Sequence, residues 1–318
     1  MVKVSVVIVN YNGAKIVPVI LDSLKKSRLK GGFETIVVDN ASTDESIRII
    51  RKYRNVKIVK NKVNLGYTGV NSALQYCKGE YIYFTNNDLA LDKNCLAELA
   101  EVLDKNESFG VACSKVINYY DKKLQSCGTW VSRCYYNGHF MAEKDYPKQI
   151  PYNGVAMVRK SIAEKFGYIF DKDYFIYAED LDLCLRTRLL GYKVIHVPTA
   201  IIHHMHSTTM GKGRKYRSTF LMERNLLATF FKIFTFGNTL LFLPYVLLMR
   251  FVGMIKDILT LDFQSALARI SAILYVIFNF AGIMKKRAQV QKMRKADDKF
   301  ILEVFSEKYL FSKDRINV

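Results

Sequence analysis

Residues 4–88 alternate four times between apolar, β-branched runs and helical patterns, and this alternation restricts the fold more than any other feature of the chain. A continuous β-branched run is typical of a strand that is buried on both faces of a parallel sheet. We predict strands at Val4–Val9, in "FETIVVDNAS", at Val56–Lys60 and in "EYIYFTNND". The intervening segments predict helices, the first of them over Lys15–Ser27. The sequence therefore predicts an α/β fold with a doubly wound, mostly parallel sheet.

Polar side chains follow these strands at their carboxyl ends, where doubly wound sheets bind their ligands. They are Asn10, Asp39, Asn64 and Asp88. Asp39 precedes a helix for which we expect an N-cap at Ser42 or Thr43. Asp39 therefore either supports the start of this helix or accepts hydrogen bonds from a nucleotide.

The segment "TNNDLAL" ends the fourth strand with Asn86, Asn87 and Asp88. Carboxylate and amide oxygens at this edge suit a hard divalent cation or a diphosphate, and the alternative is an Asx turn. The preceding loop, "NLGYTGVNSAL", has two glycines that would let a nucleotide approach the backbone closely. This loop does not match GxGxxG, so a dinucleotide-binding protein is a poor fit.

The segment "YFIYAEDLDLCLR" places aromatic and aliphatic residues directly before three acids. Glu179 and Asp182 are explained by the favourable interaction of acids with the first turn of a helix. The apolar run before Asp180 would raise the pKa of its carboxyl and exclude water, which suits a general base. The sequence therefore separates Asp180 from the other two acids.

Three histidines cluster in "HHMH", at 203, 204 and 206. Imidazoles at alternating positions share one face of a strand, so this segment either supplies a metal ligand or carries ordinary surface histidines. The glycine- and lysine-rich loop that follows, "STTMGKGRKYRST", is a candidate flap over a phosphate.

The formal net charge of +19 indicates an anionic partner, and the excess is concentrated in the last third of the chain. Residues 211–318 contain 19 Lys and Arg against 8 Asp and Glu. Two uncharged stretches, of 17 residues after Lys232 and 15 after Arg269, are short for spanning helices. We expect helices lying on an anionic membrane surface; a shallow spanning hairpin and a soluble helical cap are the alternatives.

The cysteine pattern and the start of the chain indicate a cytosolic catalytic part. The six cysteines show no CxxC spacing, which favours reduced thiols over a disulfide framework or a zinc site. The strand-like "KVSVVIVNYNG" leaves no room for a signal peptide. We expect no nucleic-acid partner, because the basic residues interleave with apolar helices and no recognition motif is present.

Over about residues 3–225 these segments resemble the inverting glycosyltransferases of family 2, which have a GT-A fold. The first four strands and their loops are similar to the donor-nucleotide half of that family. The segment from "YNGVAMVRKSIAEKFG" through "YFIYAEDLDLCLRTRLLGYKVIHVP" is similar to its acceptor half. The subgroup it resembles includes rhamnosyl- and galactofuranosyltransferases that build surface polysaccharides.

The resemblance implies a role for each matching position. The residues implied to bind the nucleotide-sugar are Asn10, Asn12, Asp39, Asn64, Gly66 and Asn87. Asp88 and His203 would hold Mg²⁺ or Mn²⁺ on the diphosphate, and His204 beside His203 leaves their register open. Asp180 would be the catalytic base, with Glu179 beside it. The usual DxD reads Asn86-Asn87-Asp88 here, which makes a metal held mainly by the substrate plausible.

The sequence thus predicts a metal-assisted, inverting transfer of sugar from a UDP-, dTDP- or GDP-linked donor to a hydroxyl of a glycan acceptor, which we expect to be lipid-linked. We place the catalytic domain at 1–225 and a membrane-associated helical region at 226–318, on the cytoplasmic side of the membrane. A nucleotidyltransferase and a non-catalytic nucleotide-sugar-binding protein are the alternatives. The first would need a glycine-rich basic loop after strand one, and the second would not need Asp180.

Overall fold

The computed structural model describes residues 2–141, 149–205 and 215–306. Its strands are β1 Val4–Asn10, β2 Phe33–Asp39, β3 Val56–Lys60, β4 Tyr81–Asn86, β5 Leu89–Leu91, β6 Phe109–Asn118, β7 Leu124–Ser126, β8 Thr129–Val131, β9 Asn137–His139, β10 Ala156–Arg159 and β11 Lys193–His204. Its α-helices are α1 Val17–Lys26, α2 Ser46–Ile50, α3 Cys95–Lys105, α4 Lys160–Phe166, α5 Glu179–Leu189, α6 Lys215–Ile233, α7 Phe236–Leu259, α8 Phe263–Phe278, α9 Phe280–Lys292 and α10 Asp298–Leu302. A 3₁₀ helix covers Gly66–Tyr76.

The main sheet has the strand order β3-β2-β1-β4-β10-β6-β11-β5, and β7 pairs with β6 beside this path. The first four strands in that order are parallel, as the sequence predicts. Strand β10 is antiparallel to both β4 and β6, whereas β11 is parallel to β6. The α/β prediction is confirmed: a parallel half at one end of the sheet is followed by a mixed half. The carboxyl ends of β1, β2 and β4 therefore meet at one edge.

Each face of the sheet carries its own apolar core, because side chains along a strand alternate between the faces. On β1, Val4, Val6 and Ile8 join one core with α1 and α3. Val7 and Val9 face the other core, to which α4, α5 and α6 contribute. All six cysteines are buried and none forms a disulfide, as expected for reduced thiols.

The start of α2 differs from the sequence-based prediction. This helix begins at Ser46, so the expected N-cap at Ser42 or Thr43 is wrong. The Ser42 hydroxyl instead donates to Asp39 at 2.6 Å, and the Asp44 carboxylate accepts a hydrogen bond from the backbone N–H of Ser46 at 3.0 Å. Polar residues after the strand therefore build a tight loop before the helix can begin.

Helix α6 connects the sheet to the C-terminal helices and runs through position 225, where the sequence-based division falls. It packs against α5, α8 and α9. The buried ammonium of Lys232 lies 2.7 Å from Asp171 and 2.6 Å from Asp182 on α5. Arg186 completes this buried ion network with its guanidinium 2.7 Å from Asp182. Removing one partner of such a buried pair costs about 3–5 kcal/mol, so this network fixes α5 against α6.

Among the described residues, only α7 is by itself long and apolar enough to cross a membrane, and about a quarter of its most apolar window is buried. Helices α8 and α9 together pass the same test of length and composition but are bent by 70° at their junction. Both α7 and α8 keep one face against the protein and expose another, as is typical of amphipathic helices.

Candidate active site

Three buried polar side chains are joined in a row at the carboxyl edge of the parallel strands. The Nδ2 of Asn87 donates to Oδ1 of Asn10 at 2.7 Å, and the Nδ2 of Asn10 donates to Oδ1 of Asp39 at 3.0 Å. Asp39 also accepts the backbone N–H of Ser42 at 3.1 Å. Of the predicted strand-end residues, Asn10 and Asp39 therefore meet as expected, and Asn87 joins them. They form a rigid edge because each amide and carboxylate has protein partners.

The loop after β1 closes over this row. A Cβ added to Gly13 would lie 2.1 Å from Nδ2 of Asn87 and 2.4 Å from Oδ1 of Asn10, so only glycine fits there. Asn12 is exposed and has a positive φ of 48°, and its side-chain oxygen accepts the backbone N–H of Thr43 at 2.8 Å. Asn12 thus ties the loop after β1 to the loop after β2, with its side chain at the rim.

Asn64 and Gly66 form a second turn at the same edge. The side-chain oxygen of Asn64 accepts the N–H of Gly66 at 2.8 Å. Asn40, which the sequence analysis did not assign, donates to the carbonyl of Gly66 at 2.7 Å. Gly66 has a φ of +62°, and a Cβ there would lie 2.2 Å from the carbonyl oxygen of Phe175. This glycine therefore allows the donor-side turn to touch the segment that leads to Asp180.

Asp180 lies at the N-terminal end of α5, where its side chain is half-buried. Burial raises the pKa of Asp180 to about 6, in spite of the hydrogen bond that it accepts from the N–H of Leu181 at 2.8 Å. Burial and then the charge of Asp180 raise the pKa of the buried Glu179 well above its ordinary value. Each of these two acids therefore keeps its proton to a higher pH than a carboxyl in water does.

Tyr67 relates this helix start to the edge of the sheet. Its backbone N–H donates to the carbonyl of Phe175 at 2.7 Å. The Tyr67 hydroxyl donates to the carbonyl of Gly154 at 3.2 Å, and a Cβ on Gly154 would lie 3.4 Å from Oδ2 of Asp180. Burial and then the charges of Glu179, Asp180 and Asp88 raise the pKa of Tyr67 well above its ordinary value. The segment "NLGYTG" alone indicated no role for Tyr67.

Of the two adjacent histidines, His204 is the one that reaches Asp88. Its Nε2 lies 3.4 Å from Oδ2 of Asp88, and its Nδ1 lies 3.1 Å from the side-chain amide of Gln125. The Nε2 of His203 lies 3.0 Å from Asp92 instead, because successive residues of β11 point to opposite faces. The sequence left the register of these two histidines open, and this geometry brings His204 rather than the named His203 to Asp88. His206 and residues 207–214 of the expected flap lie outside the described residues.

The pair of Asp88 and His204 fits a divalent cation by its donor chemistry. A carboxylate oxygen and an imidazole nitrogen are both ligands that Mn²⁺ accepts. Within the described ranges no group of three or more His, Cys, Asp or Glu side chains could hold a metal ion. The protein therefore offers a partial site, which the oxygens of a diphosphate would have to complete.

The fold and this edge define a GT-A type of transferase, and comparisons with known proteins give the family. Residues 5–167, just over half of the chain, match the model described as "Glycosyl transferase family 2". The chain therefore belongs to glycosyl transferase family 2, as the sequence-based resemblance predicts.

A sequence relative is the poly(ribitol-phosphate) beta-N-acetylglucosaminyltransferase TarS of Staphylococcus aureus, 36% identical over 114 residues, or 34% of this chain and 20% of the relative. The chain thus matches about a fifth of that relative's length. The crystal structure of S. aureus TarS 1–349 with UDP-GlcNAc has a TM-score of 0.60 at 18% identity, covering 99% of this chain and 96% of that one. The mannosyltransferase PcManGT of Pyrobaculum calidifontis, in complex with GDP-Man and Mn²⁺, has a TM-score of 0.55 at 16% identity, covering 95% and 85%.

Proposed function

We propose that this protein transfers a sugar from a nucleotide-diphosphate donor to a hydroxyl of a glycan acceptor, with inversion at the anomeric carbon. The observation that carries this proposal is that the turn at Gly66 and Tyr67 touches the segment that leads to Asp180: the N–H of Tyr67 donates to the carbonyl of Phe175 at 2.7 Å. The carboxylate of Asp180 thus follows directly on a segment bound to the proposed nucleotide edge, and burial raises its pKa. A non-catalytic nucleotide-binding protein would need the edge but not this carboxylate. Family membership and the TarS complex with UDP-GlcNAc support a nucleotide-sugar donor.

Asp180 acts as the general base. It takes the proton of the acceptor hydroxyl while that oxygen bonds to the anomeric carbon, and the bond from this carbon to the diphosphate oxygen breaks with its electron pair on the diphosphate. Proton removal by a positioned base contributes about 10²- to 10⁴-fold to the rate. Glu179 lies beside the base, and the charge of Asp180 contributes to the raised pKa of its carboxyl.

Asp39, Asn10 and Asn87 bind the nucleotide and diphosphate through the edge that they form with Asn64 and Gly66. Asp88 and His204 would hold Mg²⁺ or Mn²⁺, which neutralises charge on the leaving diphosphate when it is bound. The Mn²⁺ in the PcManGT complex supports a divalent cation. UDP-linked donors are the first to test because of the TarS complex with UDP-GlcNAc, and dTDP- and GDP-linked donors are tested beside them.

The exposed faces of α7 and α8 support a membrane-bound acceptor. On α7 the exposed apolar side chains recur at helical spacing, and they include Leu240, Leu241, Leu247, Leu248, Phe251, Ile255 and Leu259. On α8 the stripe is Phe263, Leu267, Ile270, Leu274 and Ile277. An apolar stripe on a chain of net charge +19 suits the surface of an anionic membrane. We propose that residues 226–318 place the catalytic part at the cytoplasmic face, where it meets a lipid-linked acceptor.

A single assay tests the transferase proposal. The full chain is incubated with UDP-GlcNAc, dTDP-rhamnose or GDP-mannose, with and without Mn²⁺ and with extracted lipid-linked glycan, and the released nucleoside diphosphate is measured. We expect release from one donor, increased by the acceptor extract. Transfer of the nucleoside monophosphate with release of sugar 1-phosphate would indicate a nucleotidyltransferase, and donor binding without any release would indicate a binding protein.

The membrane proposal is tested by sedimentation with phosphatidylcholine vesicles that do or do not contain phosphatidylglycerol. We expect binding only to the anionic vesicles and a marked loss of binding for Leu248→Glu, which places a charge in the α7 stripe. Tyr120→Glu is the matched control, because Tyr120 is at least as exposed to solvent as Leu248 but lies on the β6–β7 hairpin. Equal loss in both variants, or no binding by the full chain, would refute a membrane role for α7 and α8.

A further inference from the structure

The backbone before the proposed base is strained. Phe175, Tyr177 and Ala178 have φ values of 65°, 72° and 58°, in the left-handed region that non-glycine residues rarely occupy. Such conformations cost on the order of 1–3 kcal/mol each and persist only where the surroundings enforce them. The residues that enforce this conformation therefore determine where α5 begins and where Asp180 stands.

One side chain of α6 binds most of this segment. The Nδ2 of Asn225 lies 3.1, 3.0 and 2.7 Å from the carbonyl oxygens of Tyr174, Ile176 and Tyr177. Asn225 is only 1% exposed, so these carbonyls have no water to replace it. The neighbouring guanidinium of Arg224 donates to the carbonyl of Tyr174 at 3.0 Å and to that of Asp173 at 2.7 Å.

The remaining carbonyl of the segment is held from the opposite side. The oxygen of Phe175 accepts the N–H of Tyr67 at 2.7 Å, and the N–H of Thr68 lies 3.4 Å from it. The strained segment is therefore fixed between α6 and the turn that includes Gly66. Since only α6 contacts the carbonyls of Ile176 and Tyr177 among these partners, Asn225 fixes the two peptide units that lead directly into Ala178 and the helix.

We propose that Asn225 is a positioning residue for Asp180: its carboxamide donors hold the strained 174–178 segment and thereby aim the carboxylate at the acceptor. This inference rests on the proposed role of Asp180 as the base. The carboxamide is required as a donor, because a carboxylate of the same size would face three carbonyl oxygens that also only accept. Removing the donors leaves buried carbonyls unsatisfied and releases the strain.

The test compares Asn225→Asp and Asn225→Ala with Asn238→Ala. Asn238 lies on α7, where its side chain donates to Asp298 at 2.6 Å and makes none of the hydrogen bonds described for the 174–178 segment. We measure kcat and the donor KM with the donor that the release assay identifies. We also measure hydrogen exchange of peptides that cover residues 173–181 and 64–69. Both Asn225 variants are expected to lower kcat at least tenfold, to change the donor KM less than about threefold, and to speed exchange in both peptides.

The outcomes separate the two proposals. Wild-type kcat or wild-type exchange in Asn225→Asp would overturn the positioning role, as would equal losses in Asn238→Ala, which would indicate general destabilisation. Faster exchange with unchanged kcat would also overturn it, because the segment would then not serve the reaction. An active Asp180→Asn enzyme would instead refute the base itself, while the exchange data would still show whether Asn225 holds the segment.

Discussion

The edge formed by Asn10, Asp39 and Asn87, which we call the donor edge, and the segment before Asp180 are held in place in different ways. At the edge, Asn10, Asp39 and Asn87 satisfy one another through short hydrogen bonds on rigid strand ends. Before α5, the backbone is strained and the two acids are held in a water-poor site that raises their pKa. The side chains of the donor edge are therefore fixed by neighbouring strand ends, whereas the segment before Asp180 depends on contacts from helix α6, which is distant in the chain.

The largest expected effect comes from replacing the proposed base, Asp180. Asp180→Asn keeps the shape but removes the base, so kcat should fall about 10²- to 10⁴-fold while the affinity for UDP or the active donor stays the same. Steady-state release of nucleoside diphosphate and calorimetric donor binding give the two quantities. The control is Asp121→Asn on an exposed turn, which should behave as the wild type. Retained turnover in Asp180→Asn would show that the two regions do not divide the work as proposed.

The second test sharpens the comparison at the donor edge. His204→Ala should weaken the apparent affinity for Mn²⁺ about 10- to 100-fold, because it removes the imidazole beside Asp88. His203→Ala, the adjacent and chemically identical control, should change it little, since His203 faces Asp92. The apparent Mn²⁺ affinity is measured without turnover by titrating Mn²⁺ in the presence of UDP and recording the shift in the thermal unfolding temperature. The reverse order of effects would restore His203 as the residue at the metal.

The pH dependence of the reaction should come from Asp180 and not from the donor edge. Asp180 must be ionised to accept a proton, and its pKa is raised to about 6 by burial. The kcat/KM for the donor should therefore be constant above about pH 7 and fall about tenfold for each unit below about pH 6. Donor binding at the same pH values should not follow this curve. A break at the ordinary pKa of an aspartate, near 4, would mean that water reaches the carboxylate.

The smallest effect concerns the packing of the donor edge. Gly13→Ala forces a Cβ against Asn87 and Asn10, and a strain of about 1 kcal/mol would raise the donor KM about fivefold with kcat nearly unchanged. Gly32→Ala is the control: its positive φ of 68° also carries strain, but no atom lies within 4 Å of the added Cβ. A fall in kcat without a change in KM would show that the edge also positions the reacting groups.

Local pattern was enough to predict the four parallel strands and the raised pKa of Asp180. The β-branched run of β1 is buried in the sheet as expected, β3 forms the half-exposed edge strand, and burial raises the pKa of Asp180 as its apolar neighbours indicated. The choice between His203 and His204 could not be made, because it depends on the register of β11 against β5 after the shift between Val197 and Ile201. Asn40, Tyr67 and Asn225 were not assigned because their contacts join segments that are distant in the chain.

The buried pairing of Lys232 with Asp171 and Asp182 also has a consequence for the order in which the protein is made. Synthesis adds about 5–20 residues per second, so Asp182 precedes Lys232 by about 3–10 s. During that interval Asp171 and Asp182 lack Lys232, whose ammonium contacts both of them in the finished protein. The contacts that hold α5 against α6, beside the proposed base, can therefore form only after the ribosome has completed α6.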